Sequence, residues 1–177
     1  MTYAEAPCPT LRTERLLLEP YAPADEEDFV ALFQDPRVSR WMGDGPQSEE
    51  DDRALFGRIF SAVYPARRFA VWVVRHRGRP VGHAEVKRTD AADGHEIVYA
   101  LRPDCWGRGM GTELAGELVA YGFGALGLPA LHATVAAENA ASLALLERLG
   151  FRHVRDIPEE QGGVTRHLRC DARPGTR

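Results

Sequence analysis

The sequence predicts one mixed α/β domain, a largely antiparallel sheet sandwiched with helices, and three observations carry that expectation. The chain has 177 residues, within the ~100–200 residues of a typical single domain. Three short β-rich runs follow one another with turn signals between them, Phe69 to Val74, Pro80 to Val86 and Glu96 to Leu101, which is a hairpin meander and not a string of βαβ units. A glycine-spaced segment then joins the third run to a helical pattern. The domain is expected over residues 11–171, with 1–10 a loose lead-in and 172–177 a frayed tail.

The elements follow in order. Leu16-Leu17-Leu18 reads as a strand stopped by Pro20. Asp25 to Phe33 places Phe29, Leu32 and Phe33 at helical spacing, with Pro36 soon after. Ser48, with Asp51 three residues on, is a short capping box opening a second helix, whose apolar face is expected at Leu55, Ile59 and Val63. His76-Arg77-Gly78-Arg79 is the hairpin turn, and Thr89 to Gly94 is the turn before the third strand. After the glycine segment a helix carries Leu114, Leu118, Tyr121 and Ala125 on one stripe and ends at Gly127 and Pro129. Leu131 to Val135 is a strand. Asn139 opens a helix with Leu143, Leu146 and Leu149 on one side, stopped by Gly150, and Phe151 to Ile157 and Val164 to Cys170 form a closing strand pair.

Composition excludes several classes. The net charge of −4 gives no phosphate-backbone footprint, so no nucleic-acid partner is expected. No apolar run reaches the ~18–20 residues of a membrane span, and no signal-like stretch opens the chain. Cys8, Cys105 and Cys170 are odd in number and scattered, which argues against a disulfide framework and for a reducing, cytoplasmic setting. The histidines His83, His95, His132, His153 and His167 stand singly without ligand spacing, so no metal is expected. Every basic residue except Lys87 is Arg.

The segment Gly107-Arg108-Gly109-Met110-Gly111-Thr112 carries the functional signal. Alternating glycines let successive backbone N–H groups face one ligand without a Cβ in the way. The loop runs into a helix N-terminus, where unpaired N–H groups and the macrodipole favour an anion such as a pyrophosphate. A P-loop would need GxxxxGK[ST], and a dinucleotide fold would need GxGxxG, where this chain has Thr112 at the last position. Both fail on spacing, and the hairpins upstream fail the second on topology. A tight turn that merely packs helix on strand is the remaining structural explanation.

At these residues the chain resembles a known family. EIVYALRPDCWGRGMG is similar to motif A of the GNAT N-acetyltransferases, a strand followed by a [Q/R]xxGx[G/A] loop that binds the pyrophosphate of coenzyme A. ENAASLALLERLGF is similar to motif B, and LRTERLLLEPYAPAD resembles the opening strand of the ribosomal-protein N-terminal (Rim-type) branch. The likeness spans roughly residues 11–170. It implies a GNAT fold, with helices flanking a sheet that splays where acetyl-CoA binds, and acetyl transfer from acetyl-CoA to a primary amine in a ternary complex. The amine belongs to a protein N-terminus or a small molecule. The partners are then acetyl-CoA and the acceptor, with room for a homodimer. A non-catalytic acyl-CoA sensor with the same fold is the alternative. The Gln/Arg position of the loop pattern falls on Trp106, so no polar side chain is expected to brace the loop there.

The resemblance assigns the coenzyme to Ala100, Leu101, Trp106, Gly107, Arg108, Gly109, Met110, Gly111, Thr112, Asn139 and Ser142. Thioester-to-amine transfer needs a neutral amine and a stabilised leaving thiolate. Glu96 opens the strand leading to the loop and is the base candidate. Val98 and Ala100 on its face give an apolar setting that raises a carboxyl pKa. A solvated edge carboxylate is the competing explanation, and Glu85 is the fallback base, set against the acceptor. Relatives carry a Tyr where this chain has Leu146, so Ser142 is the candidate partner for the thiolate, against a plain first-turn hydroxyl. Asn139 reads as a helix N-cap that also touches the coenzyme. Phe33, Trp41 and Met42 border the acceptor cleft or belong to the core, and Cys105 lacks a partner that would make it a nucleophile.

Overall fold

A computed structural model describes residues 8–43, 45–160 and 162–173. Eight strands form one sheet: β1 (Leu11–Arg12), β2 (Leu16–Pro20), β3 (Ala70–His76), β4 (Arg79–Arg88), β5 (His95–Leu101), β6 (Ala130–Ala136), β7 (Arg152–Pro158) and β8 (Val164–Asp171). Their spatial order is β1-β2-β3-β4-β5-β6-β8-β7. The helices are α1 (Glu26–Gln34), α2 (Pro36–Ser39), α3 (Glu49–Arg58), α4 (Met110–Gly124) and α5 (Ala140–Arg148).

The expected hairpin forms for a local reason. Arg77 and Gly78 both take left-handed backbone (φ 50° and 79°), the geometry whose twist matches antiparallel strands. In β3, Ala70, Trp72 and Val74 face one side while Val71 and Val73 face the other, and all five are buried. A strand covered on both faces reads as a continuous apolar run, which is what the sequence has there. Gly82 of β4 is required by contact: a Cβ there would lie 2.3 Å from the carbonyl oxygen of Ala100 on β5.

One core lies beneath α4 and α5, with Trp72, Leu114, Leu118, Leu131, Leu146 and Phe151 almost fully enclosed. Each such side chain contributes about 1.5–3 kcal/mol by leaving water. The second core packs α1 and α3 on the opposite face through Tyr21, Phe29, Phe56 and Ile59.

Three local expectations change. The buried face of α3 is Asp52 and Phe56, continuing to Ile59, while Leu55 is 42% exposed. Ile59 is buried and Val63 packs against the same cluster as expected, within a π-turn at Ile59–Val63, so only Leu55 departs from the expected face. Ala125 is exposed, because α4 ends one residue before it. Pro36 begins the short α2, where Asp35 caps it through the amide of Arg37, instead of merely ending α1. At the chain ends, Cys8 and Pro9 are anchored, since Cys8 Sγ reaches Val71 O at 3.1 Å and Trp72 Nε1 donates to Pro9 O at 2.7 Å. Ala172 N bonds Pro129 O. The rest of the predicted lead-in and tail, residues 1–7 and 174–177, lies outside the described residues.

The site is positioned by β5 and β6. They run parallel, joined by the α4 crossover, and pair at only two positions, His95 with Leu131 and Glu96 with His132. Beyond these the strands diverge and the sheet opens.

Candidate active site

The opening is a cleft of about 970 Å³ between β5, β6, the α4 N-terminus and the first turns of α5. At one end the loop takes left-handed backbone at Gly107 (φ 67°) and Gly109 (φ 77°), conformations that a Cβ strains. No side chain caps α4, so its first amides are free to take an anion from the cleft.

The loop is held from outside. Arg15 Nη1 donates to Arg108 O at 2.8 Å, and Arg15 Nε meets Glu113 Oε2 at 2.7 Å. Glu113 Oε1 accepts from the amide of Arg15 and from Thr13 Oγ1. Trp106 corrects the expectation of an absent brace. Its ring is 45% exposed, but the indole N–H donates to Leu101 O at 2.8 Å and ties the loop to the end of β5. Tryptophan keeps one donor, which suffices where the carbonyl lies within reach.

Glu96 lies on the cleft wall with 9% exposure. It belongs to an interior strand, which excludes the solvated-edge explanation. Its Oε2 accepts from Thr89 Oγ1 and Thr134 Oγ1, both at 3.2 Å. Burial pushes its pKa up, and the Lys87 charge and the two hydroxyls offset part of that shift. Lys87 stands opposite Glu96 in the strand register and lines the cleft. Glu85 is not among the lining residues. It receives His83 Nε2 at 2.9 Å and has Lys87 Nζ 3.1 Å from Oε2, an ion-pair contact without hydrogen-bond geometry. Burial raises the Glu85 pKa, but the His83 bond and the neighbouring positive charges outweigh it and hold the group at about 2.

Asn139 caps α5, its Oδ1 accepting from the Ser142 amide at 3.2 Å, and both residues line the cleft. Tyr99 Oη lies 2.8 Å from Ser142 Oγ. Sequence reading missed Tyr99, although period-2 alternation puts it on the face opposite Glu96, beneath α5.

Of the other expected residues, Ala100, Leu101, Gly107, Gly109, Gly111, Thr112, Trp41 and Met42 line the cleft, together with Trp106. Phe33, Arg108, Met110 and Glu85 do not. Phe33 packs on Phe29 and His83 at ring distances of 4.7 and 5.3 Å, and Met110 is buried in the core. Arg40 stacks over Trp41, its Cζ 4.3 Å from the ring centroid. Cys105 borders the cleft, but burial raises its pKa and keeps it a thiol.

The histidines are not all solitary. His132 Nδ1 lies 2.9 Å from His167 Nε2, because β6 and β8 pair with Thr134 opposite His167. Among the described residues, no group of three or more His, Cys, Asp or Glu side chains could hold a metal. Among the same residues, no helix is long and apolar enough to cross a membrane.

A sheet opened between two parallel strands, with a glycine-lined helix N-terminus at the mouth of the opening, is the framework of an acetyltransferase. The chain belongs to the GNAT family: residues 15–152 match the model described as acetyltransferase (GNAT) domain. It is 31% identical over 150 residues to YoaA of Bacillus subtilis (strain 168), named an uncharacterized N-acetyltransferase, with 81% of this chain and 83% of that protein covered. The acetyltransferase from Agrobacterium tumefaciens str. C58 superposes with a TM-score of 0.78 at 27% identity, over 93% of this chain and 95% of that one. The RimL ribosomal L7/L12 alpha-N-protein acetyltransferase, solved with coenzyme A, shares the fold at a TM-score of 0.77 and 12% identity, over 92% and 98% of the two chains. The protein is therefore an N-acetyltransferase by family, and acetyltransferases of this family use acetyl-CoA.

Proposed function

We propose that the cleft binds acetyl-CoA with its pyrophosphate on the Gly107–Thr112 amides and its thioester between Glu96 and Ser142, and that a primary amine attacks that thioester directly. One observation carries this reading: Glu96 and Ser142 both line the cleft that begins at the glycine loop.

The chemistry follows from these two residues. An amine with a pKa of ~8–10.4 is largely protonated at neutral pH, so a proton must leave it for attack to occur. Glu96, desolvated and held by Thr89 and Thr134, accepts that proton directly or through one water. The amine nitrogen then bonds the acetyl carbon and gives its second proton to solvent as the C–S bond breaks. The Ser142 hydroxyl meets the negative charge that grows on sulfur. Trp41, Met42 and the stacked Arg40 border the side from which the acceptor enters.

The acceptor class we favour is a protein N-terminus, as in the Rim-type branch, with a small-molecule amine as the second choice. The LRTERLLLEPYAPAD segment and the fold shared with RimL support the first. Cys105 and Cys170 are buried and unpaired, and Cys8 is also free, which supports work in the reducing cytoplasm.

A panel of amines tests the proposal by CoA-thiol release: a serine-initiated peptide, spermidine, an aminoglycoside and a free amino acid. Release above the acetyl-CoA-only rate with at least one amine is the expected result. Stoichiometric acetyl-CoA binding without amine-dependent release across the panel would turn the protein into a sensor.

A further inference from the structure

We propose that Tyr99 is a positioning residue, whose hydroxyl pairs with Ser142 across the base of the cleft and leaves that pair a single free proton for the sulfur of the bound coenzyme. The inference rests on the reading of Ser142 given above. The two oxygens are 2.8 Å apart, one on β5 and the other in the first turn of α5, and both residues line the cleft.

Two hydroxyls carry two protons. One is consumed inside the pair whichever oxygen donates, so one remains for a third group. A serine in a helix with no such partner turns its proton back to a carbonyl one turn earlier. A serine whose oxygen accepts from a fixed phenol directs its own proton away from that phenol. Both ends of this pair are fixed. The Tyr99 ring packs against the core beneath α4 and α5, and the Ser142 amide is held by Asn139 Oδ1. Burial disfavours a tyrosinate, so Tyr99 stays a phenol and serves as a hydrogen-bonding group.

The proton count closes without a net transfer from either hydroxyl. An ammonium loses two protons in becoming an amide: one goes to Glu96 before attack, and the second leaves the nitrogen for solvent as the C–N bond forms and the C–S bond breaks. The electron pair left on sulfur accepts the pair's free O–H. Leu146, fully buried, has no proton to offer in that place. The hydroxyl that α5 does present to the cleft is Ser142, one turn before Leu146.

The test needs no acceptor. CoA and desulfo-CoA are titrated calorimetrically at intervals from pH 7 to 9.5. Desulfo-CoA makes every contact except those of the sulfur and so reports whether the cleft is intact in each variant. In the wild type, CoA should tighten about tenfold relative to desulfo-CoA as its thiol ionises, the gain of one charge-assisted hydrogen bond. Ser142→Ala and Tyr99→Phe should each lose most of that tightening while binding desulfo-CoA within about twofold of wild type. Tightening kept in Tyr99→Phe but lost in Ser142→Ala overturns the role of Tyr99 alone. Tightening kept in Ser142→Ala, or absent from the wild type, overturns the reading of Ser142 itself.

Discussion

Arg15 and Glu113, 98 positions apart, form a two-point contact in which one carboxylate takes the Arg15 backbone amide at 2.7 Å and its guanidinium at 2.7 Å. The same guanidinium reaches Arg108 O, so the turn before β2 holds the glycine loop in place. Arg15 is more than a third exposed, so the ion pair alone contributes little to stability. Its effect is to order the loop before a ligand arrives.

Glu113→Ala should therefore weaken acetyl-CoA binding about 3–10-fold by restoring loop freedom, with only a small change in melting temperature. Calorimetric titration beside a thermal melt checks this. Unchanged affinity would leave Arg15 and Glu113 as a surface contact only.

Gly111→Glu should cut acetyl-CoA affinity by at least about 100-fold, because a negative charge replaces room for a phosphate at the helix N-terminus. The added Cβ would stand 3.1 Å from Leu145 Cδ1, the flexible end of a side chain, so the fold should survive. A folded variant with wild-type affinity would move the pyrophosphate elsewhere.

The pH profile isolates Glu96. Its pKa is raised by burial, so the proposed base is protonated and inactive below a point above the ordinary carboxylate value of ~4.3. Activity should fall as pH drops through that point. Glu96→Gln should lower the neutral-pH rate by ~10²–10⁴ and recover partly at alkaline pH, where more amine is already neutral. An acidic limb that persists in the variant would assign it to another group.

The His132–His167 pair should make stability acid-sensitive. Burial lowers both pKa values, so the unfolded chain binds more protons than the native one below the ordinary histidine pKa of ~6.5. Stability from this pair is present above that pH and is lost as pH falls below it. The melting temperature should drop between pH 7.5 and 5.5, and the drop should shrink in a His132→Leu/His167→Leu double variant. An equal drop in that variant would place the sensitivity in other groups.

Much of the molecule was legible from local sequence. β-rich runs and turn chemistry located the β3–β4 hairpin, and caps at Ser48 and Asn139 located two helix starts. Three glycines in five residues marked the loop with left-handed backbone before an uncapped helix start, since φ and unpaired amides are properties of neighbouring residues. Glu96 was legible because it begins the strand that feeds that loop.

Only the tertiary structure placed β8 between β6 and β7, put Phe33 in the core, and gave Trp106 a carbonyl to brace. It alone joined Arg15 to Glu113 and Tyr99 to Ser142, pairs separated by 98 and 43 positions. Periodicity reports which face a side chain takes, and carries no term for the distant element that face will meet. Those meetings are settled when apolar faces from far-apart segments are buried together, and the splay between β5 and β6 is where that burial stops.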